Sequence, residues 1–217
     1  MINLISINKL KTGVPLFIIF LLFGCSNPYK NLTETEFSAK NITEIPYSLP
    51  QSEKTLIYKT SIDFYQRNIT GLLIIKKTEE QNYRIALTTQ FGLKIFDFAL
   101  KEGNLEVVYC IEYLNKKSII STFEDDFKLL LMQNKFEQIY TFQKDEQKYR
   151  GWVFQSGKMN YYYLMNSEKR QIEKIEQRKR NTKKISVDLY DYNNNLPLNI
   201  QLEHHNIKLK MNLKRIQ

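Results

Sequence analysis

Few residues of this 217-residue sequence have side chains suited to covalent catalysis or metal binding. The only histidines, His204 and His205, are adjacent. Neighbouring residues on a strand point to opposite faces, and a tight turn exposes both, so we do not expect them to share a site. The sequence has no Gly-x-Ser-x-Gly motif, no phosphate-binding glycine loop and no Cys-x-x-Cys pair. We therefore expect no metal, no cofactor and no enzymatic activity.

Cys25 is the residue for which the surrounding sequence does indicate covalent chemistry. Lys9 and Lys11 precede the ten-residue apolar run Val14–Phe23, which is too short to cross a bilayer as a helix. The run ends in Leu22-Phe23-Gly24-Cys25, which resembles the lipobox of bacterial lipoproteins, whose cysteine thiol receives a diacylglycerol. We expect residues 1–24 to be a lipoprotein signal peptide and Cys25 to be lipidated. The alternative is a secretory signal followed by an unmodified cysteine.

The stretch that follows the cysteine has the composition of a tether. Residues 26–51 are rich in Asn, Thr, Ser, Glu and Pro without a sustained apolar period, so we assign 25–53 to a lipidated tether and 54–217 to one domain. No acidic run follows Cys25, whereas some bacterial lipoproteins carry one there as a signal for surface export or inner-membrane retention. The resemblance to lipoproteins therefore implies, from Ser26-Asn27, the periplasmic face of the outer membrane. With Cys25 acylated, Cys110 is the only remaining thiol, and its apolar neighbours predict a buried side chain.

The chain is basic, with a formal charge of +9. Lys9 and Lys11 are removed with the signal peptide, so the mature chain keeps 30 of the 32 basic residues and all 23 acidic ones. Its formal charge is +7. Many of the cations fall between residues 169 and 184. An exported, lipidated protein meets anionic head groups or an acidic protein partner rather than nucleic acid. The alternative is a solvated hairpin whose lysines discourage edge pairing.

Alternation of apolar and polar residues dominates the domain. Ile207, Leu209, Met211 and Leu213 alternate with polar residues, which predicts a strand with one buried and one wet face. A similar run from Leu196 to Leu202 precedes it, and Glu203–Asn206 would connect the two as a hairpin. Together the runs predict an antiparallel meander or barrel. The other predicted strands are 56–66, 69–77, 83–88, 93–100, 105–114, 136–142, 148–155, 159–165, 171–177 and 185–190.

One segment, 118–132, has the three-to-four-residue period of a helix. Ser121 and Glu124 match a capping box, which places Glu124, Asp125 and Asp126 in the first turn. The apolar face must pack against the sheet, so the helix is expected to close its concave side. Several strands are apolar on both faces, which favours an apolar cavity beneath the helix, with a solid core as the alternative. Its predicted lining is Leu73, Ile75, Phe96, Phe98, Phe123 and Phe127.

Three stretches, in order along the chain, resemble the LolB family of outer-membrane lipoprotein receptors. They are Gln81–Phe98, with Tyr83-Arg84 before a turn and an alternating strand; Gly151-Trp152-Val153; and Leu196-Pro197 with the closing strand Ile207–Met211. The resemblance implies a mainly β fold, a half-open barrel of about eleven strands with a short helical lid, as in LolB and the related carrier LolA. It also implies a protein that accepts lipoproteins from a LolA-type carrier, holds their acyl chains and inserts them into the outer membrane.

The turn between the two strands of the first stretch departs from the family pattern. Thr89-Gln90-Phe91-Gly92 stands where the family has Asn-Pro-Leu-Gly, so Phe91 matches the leucine that projects from the barrel. The resemblance therefore implies a membrane-contact loop at Phe91 and Gly92. Burying an aromatic ring at the acyl boundary is favourable by roughly 2 kcal/mol. The alternative is that Phe91 folds back as ordinary core.

Two functional classes remain open at this point. The first is a monomeric lipoprotein receptor whose partners are acylated lipoproteins, a LolA-type carrier and outer-membrane phospholipid. The second is a lipid-anchored periplasmic protein that binds another apolar ligand, such as a glycolipid or a pigment precursor. The residues of an apolar cavity do not show which acyl ligand it binds, so the sequence cannot separate these two classes.

Overall fold

The computed structural model describes Tyr29 and residues 35–36, 45–79, 81–144 and 148–216. The predictions for residues 1–24 and Cys25 lie outside these ranges. Each predicted strand is present, with its ends shifted by no more than four residues, and one short strand is added. The elements are β1 (Thr35–Glu36), β2 (Leu56–Phe64), β3 (Arg67–Glu79), β4 (Asn82–Thr88), β5 (Lys94–Lys101), β6 (Asn104–Cys110), α1 (Lys117–Leu130), β7 (Gln138–Lys144), β8 (Tyr149–Ser156), β9 (Met159–Asn166), β10 (Gln171–Lys179), β11 (Thr182–Asn193), β12 (Leu196–His204) and β13 (Leu209–Arg215).

All the strands belong to one antiparallel sheet. Its order is β1-β7-β8-β9-β10-β11-β12-β13-β2-β3-β4-β5-β6, so the last strand pairs with β2 and joins the two halves of the chain. In the described part of the chain the edge strands β1 and β6 do not pair with each other, and the sheet stays open. The predicted mainly β fold, one curved antiparallel sheet with a helix, is confirmed.

The single helix of the described residues lies in the connection between β6, at one edge of the sheet, and β7, which lies beside β1 at the other edge. The helix begins at Lys117, earlier than the predicted cap at Ser121. Lys116 precedes it with extended backbone and makes no side-chain cap. The predicted capping box is therefore wrong, and Glu124, Asp125 and Asp126 lie beyond the first turn. No helix of the described residues is long and apolar enough to cross a bilayer.

A continuous apolar core lies between α1 and the face of the sheet that α1 covers. Burial alternates along β12 and β13 as predicted, with Ile200, Leu202, Met211 and Leu213 facing the core. The segment 45–50 also enters this core, through the buried side chains of Ile45, Tyr47 and Leu49. These apolar residues alternate with polar or small ones over too short a stretch to show a period. The packed domain thus begins before residue 54, inside the stretch assigned to the tether.

Candidate functional site

The six side chains predicted to line a cavity come from three elements and meet in one place. Leu73 and Ile75 project from β3, Phe96 and Phe98 from β5, and Phe123 and Phe127 from α1. All six are buried in the same core. The register of β3, β4 and β5 accounts for this, because Ile75 pairs with Ile85, and Ile85 pairs with Phe98.

The aromatic rings of this group pack directly against one another. Phe96 and Phe98 stack with their ring centroids 4.4 Å apart, and the Phe123 ring lies 5.2 Å from that of Phe96. Phe127 stacks on Phe123 at 6.3 Å. At this point the helix side chains fill the concavity of the sheet. A guest would therefore have to replace the aromatic face of α1 rather than enter beside it.

Three side-chain hydrogen bonds from outside the helix fasten α1 in this position. His204 Nε2 and Asp126 Oδ1 share a hydrogen bond of 2.7 Å. Tyr163 Oη donates to the Leu129 carbonyl at 2.8 Å, and Tyr47 Oη donates to the Leu130 carbonyl at 2.7 Å. Burial raises the pKa of Tyr163 and of Tyr47, so both hydroxyls stay protonated and able to donate. The two tyrosines satisfy carbonyls that the end of a helix leaves without partners.

The Asp126–His204 pair is buried, and Asp126 is fully enclosed by the core. Burial raises the pKa of Asp126, and the hydrogen bond and charge of His204 offset part of that rise. Asp126 Oδ2 is buried without a hydrogen-bond partner. An ionisable pair of this kind stabilises the helix position only while both members are present. It is therefore the contact whose loss would most readily free α1 from the sheet.

The β4–β5 turn projects two apolar side chains away from the core. Phe91 is 95% exposed and Leu93 is 70% exposed. The turn is held by hydrogen bonds from the Thr89 amide to the Leu93 carbonyl, 2.8 Å, and from the Leu93 amide to Thr89 Oγ1, 3.1 Å. Gly92 has φ +82°, a left-handed conformation that favours glycine. Phe91 does not fold back onto the sheet, whereas its contact with a membrane stays a prediction.

A buried carboxylate anchors the base of this hairpin. Asp97 on β5 accepts hydrogen bonds from Arg84 on β4 and, at 2.7 Å, from Lys94 beside the turn. Burial alone would raise the pKa of Asp97, but the hydrogen bonds from Arg84 and Lys94 lower it overall. The ionised carboxylate therefore ties the two strands together on the outer face of the sheet, behind Phe91.

Comparison with known proteins identifies the fold. No protein-family profile and no curated protein matches the sequence, but solved structures do. A LolA-superfamily protein from Nitrosomonas europaea has a TM-score of 0.51 at 8% identity, over 83% of this chain and 92% of that one. The chain has a LolA-like fold. At this identity the likeness concerns the LolA-like fold alone.

Two further solved structures have lower scores. A domain from Vibrio parahaemolyticus named for outer membrane lipoprotein sorting gives a TM-score of 0.46 at 9% identity, covering 81% of this chain and 89% of its own. A DUF1329 family protein from Desulfovibrio piger gives 0.47 at 5% identity, covering 78% and 89% respectively.

Two features of the LolA-like sheet were not predicted from the sequence. His204, expected in an exposed turn, is the last residue of β12 and points to the helix, while His205 points outward and bonds Ser186 Oγ at 2.8 Å. The alternation Ile200, Leu202, His204 is the signal that could have shown this, because residues two apart share a face. The second feature is Tyr29.

Tyr29 packs on the outer face of the LolA-like sheet, in a small aromatic cluster separate from the main core. Its ring stacks on Tyr162 with centroids 4.1 Å apart and meets the edge of Phe142 at 5.8 Å. The Arg178 guanidinium and the Lys144 ammonium lie 5.9 and 5.3 Å from the ring centroid. A residue only four positions after Cys25, inside the range assigned to the tether, is thus packed on the domain.

Proposed function

We propose that this protein is a lipid-anchored receptor on the periplasmic face of the outer membrane. It takes the acyl chains of lipoproteins from a soluble LolA-type carrier and passes them into the membrane, working as a monomer and without catalysis. Cys25 carries its own lipid anchor. The observation that carries this proposal is the apolar concave face of an open sheet, covered by one helix that only a few polar contacts fasten.

The exchange of helix for ligand is physically reasonable. When α1 moves away, Leu73, Ile75, Phe96 and Phe98 on the sheet lose their cover, and an acyl chain can replace it. Each methylene buried there contributes about 0.8 kcal/mol relative to water, and this gain opposes the loss of the helix contacts. The open edges of the sheet allow the chain to enter without breaking any strand pairing.

Release requires contact with the receiving membrane, and the β4–β5 turn suits that step. Phe91 and Leu93 are exposed, are held on a well-hydrogen-bonded turn, and belong to the hairpin whose β5 also supplies Phe96 and Phe98. An apolar tip at the lipid surface would therefore bring the acyl-binding face next to the bilayer.

Mass spectrometry of the material that co-purifies with the native protein tests this function. A bound triacylated peptide is the expected result. A free glycolipid, pigment precursor or other polyene in its place would reject the receptor and favour a carrier of another apolar ligand. The control is protein purified after Phe98→Arg substitution, which places a charge on the proposed acyl-binding face and should remove the ligand, provided that circular dichroism shows the sheet intact.

A further inference from the structure

The antiparallel topology collects five turns at one end of the sheet. Alternate turns of a meander lie at the same end, and the closing pair β13–β2 continues this alternation. We name the five turns together the turn rim. The turn rim comprises residues 65–66, 89–93, 157–158, 180–181 and 205–208.

The turn rim is strongly basic. Its turns and the single residues that flank them contain six cations and no carboxylate, and the nearest carboxylates on these strands, Asp63 and Glu203, lie one position further in. At the opposite end the described turn and flanking residues mix five cations with Glu79, Glu102 and Glu168. The positive charge is thus concentrated at one end. The six cations are Arg67, Lys94, Lys158, Lys179, Arg180 and Lys208.

Three of these cations form a cluster without described counter-ions. Lys158, Lys179 and Arg180 are exposed and line one surface depression together with Thr182 and Lys184. The Arg180 amide bonds the Lys158 carbonyl at 3.0 Å, which holds the β8–β9 and β10–β11 turns side by side. Like charges held this closely repel one another, and a bound anion would relieve that repulsion.

The beginning of the helix adds charge at the same end. Lys116 shares a groove with Arg67 and Lys208, between the β2–β3 turn and the start of α1, and Lys117 follows it. Cations at a helix N-terminus oppose the helix dipole, and the first turn has no acidic residue to compensate. Helix stability therefore does not explain these lysines.

Apolar side chains stand among the cations. Tyr65, Phe91 and Leu93 are 60%, 95% and 70% exposed, and all three belong to the turn rim. Exposed aromatic and aliphatic tips among lysines and arginines fit a surface with negative head groups above an apolar layer. Along the sheet the rim follows a contour of roughly 40 Å from the β8–β9 turn to the β4–β5 turn, at about 4.8 Å per strand, which suits an extended surface better than a small ligand.

We infer that the turn rim docks on anionic phospholipid, with the cluster of Lys158, Lys179 and Arg180 binding phosphate head groups while Phe91 and Leu93 enter the layer below. The inference rests on the proposed membrane anchoring and adds a specificity for negatively charged lipid. It also sets the orientation of the domain, with the strands pointing at the bilayer and the N-terminus of α1 beside it.

Hydrogen exchange on the full chain in lipid nanodiscs tests this docking. The amides of 89–93, 157–158 and 180–181 are compared in phosphatidylcholine discs and in discs that also contain phosphatidylglycerol. We expect slower exchange at all three turns in the anionic discs, and loss of the difference at high salt. The variant Lys158→Gln/Lys179→Gln/Arg180→Gln should weaken docking by roughly a hundredfold, at about fivefold for each cation.

The matched control removes the same charge from the opposite end, through Lys101→Gln/Lys169→Gln/Arg170→Gln. It should leave the exchange difference unchanged. Equal exchange in the two kinds of disc, or equal loss of protection in both triple variants, would overturn the docking model. An acidic protein partner would then explain the clustered cations better than a lipid surface does. Normal docking with no bound or transferred acyl peptide would instead reject the proposed receptor function alone.

Discussion

At the scale of single residues, a substitution of Phe91 tests membrane contact without disturbing the folded domain. Its side chain touches little of the domain, so Phe91→Glu should change the free energy of unfolding by no more than about 0.5 kcal/mol. A carboxylate is strongly disfavoured at the acyl boundary, so delivery of acyl peptide to liposomes should stop while uptake remains. Chemical denaturation and a liposome transfer assay measure the two effects. Gln81→Glu, which adds the same charge at an exposed turn residue at the opposite end of the sheet, is the control. Normal transfer by Phe91→Glu would show that the Phe91 side chain has no role in delivery.

Asp97 gives the β4–β5 hairpin a defined pH dependence. Its pKa is lowered in the folded protein, below the value of about 3.9 expected for the unfolded chain. The stabilising contribution is thus fully present above about pH 4 and is lost as the pH falls through the folded pKa. Unfolding free energies measured from neutral pH to acid should fall less steeply for Asp97→Asn than for the wild type. Parallel curves for the two proteins would show that the contribution is negligible.

At the scale of elements, the contact between α1 and β12 depends on a buried pair. His204→Ala leaves Asp126 in the core without its partner and should cost about 3 kcal/mol of unfolding free energy. Replacing both residues, as Asp126→Leu/His204→Leu, should recover most of the loss because no buried charge remains. Urea unfolding of the single and double variants measures this coupling. His205→Ala, on the outer face, serves as control, and equal losses in the single and double variants would contradict the pairing.

The two tyrosines at the helix end give a milder way to loosen the same element. Tyr163→Phe keeps the packed ring but removes the hydrogen bond to the Leu129 carbonyl, which should cost about 1 kcal/mol. If α1 is a lid, its amides should then exchange faster and a fluorescent fatty acid should bind faster. Tyr140→Phe, whose hydroxyl bonds Gln138 on the outer face, is the matched control. Faster amide exchange without faster probe binding would argue against the helix as a gate.

At the scale of the whole molecule, Cys25 is the residue expected to attach the domain to the membrane. Cys25→Ser should abolish labelling with palmitate and release the protein from the membrane fraction, because the thiol that resembles the lipobox cysteine is gone. Cys110→Ser provides the control, since that thiol is partly buried in the domain. Metabolic labelling followed by fractionation measures both properties. Palmitate incorporation in the Cys25→Ser protein would contradict the lipoprotein assignment.

The fixed position of Tyr29 also bears on the whole molecule. Because a chain of four residues spans at most about 14 Å, a lipid on Cys25 could not lie far from the outer face of β9. Tyr29 and the packed segment 45–50 both lie within the range 25–53 that composition assigned to the tether.

Local pattern was sufficient to predict most of the architecture of this protein. The strands and the helix could be read from the sequence because the strand repeat of two and the helix repeat of 3.6 come from backbone geometry. The residues that line the interior could be chosen for the same reason, since alternation shows which side of each strand is apolar. A cap is a weaker signal, because α1 begins at Lys117, four residues before the Ser121 motif, without any side-chain cap from Lys116.

Only the tertiary structure decided which distant residues meet. Asp126 and His204 are 78 positions apart, and Tyr29 reaches Tyr162 from a stretch with no apolar period. The same holds for the turn rim, where cations from five separate turns come to one end through strand order alone. Such contacts follow the path of the whole chain, whose burial of apolar surface is optimised globally, and no local window of sequence contains that information.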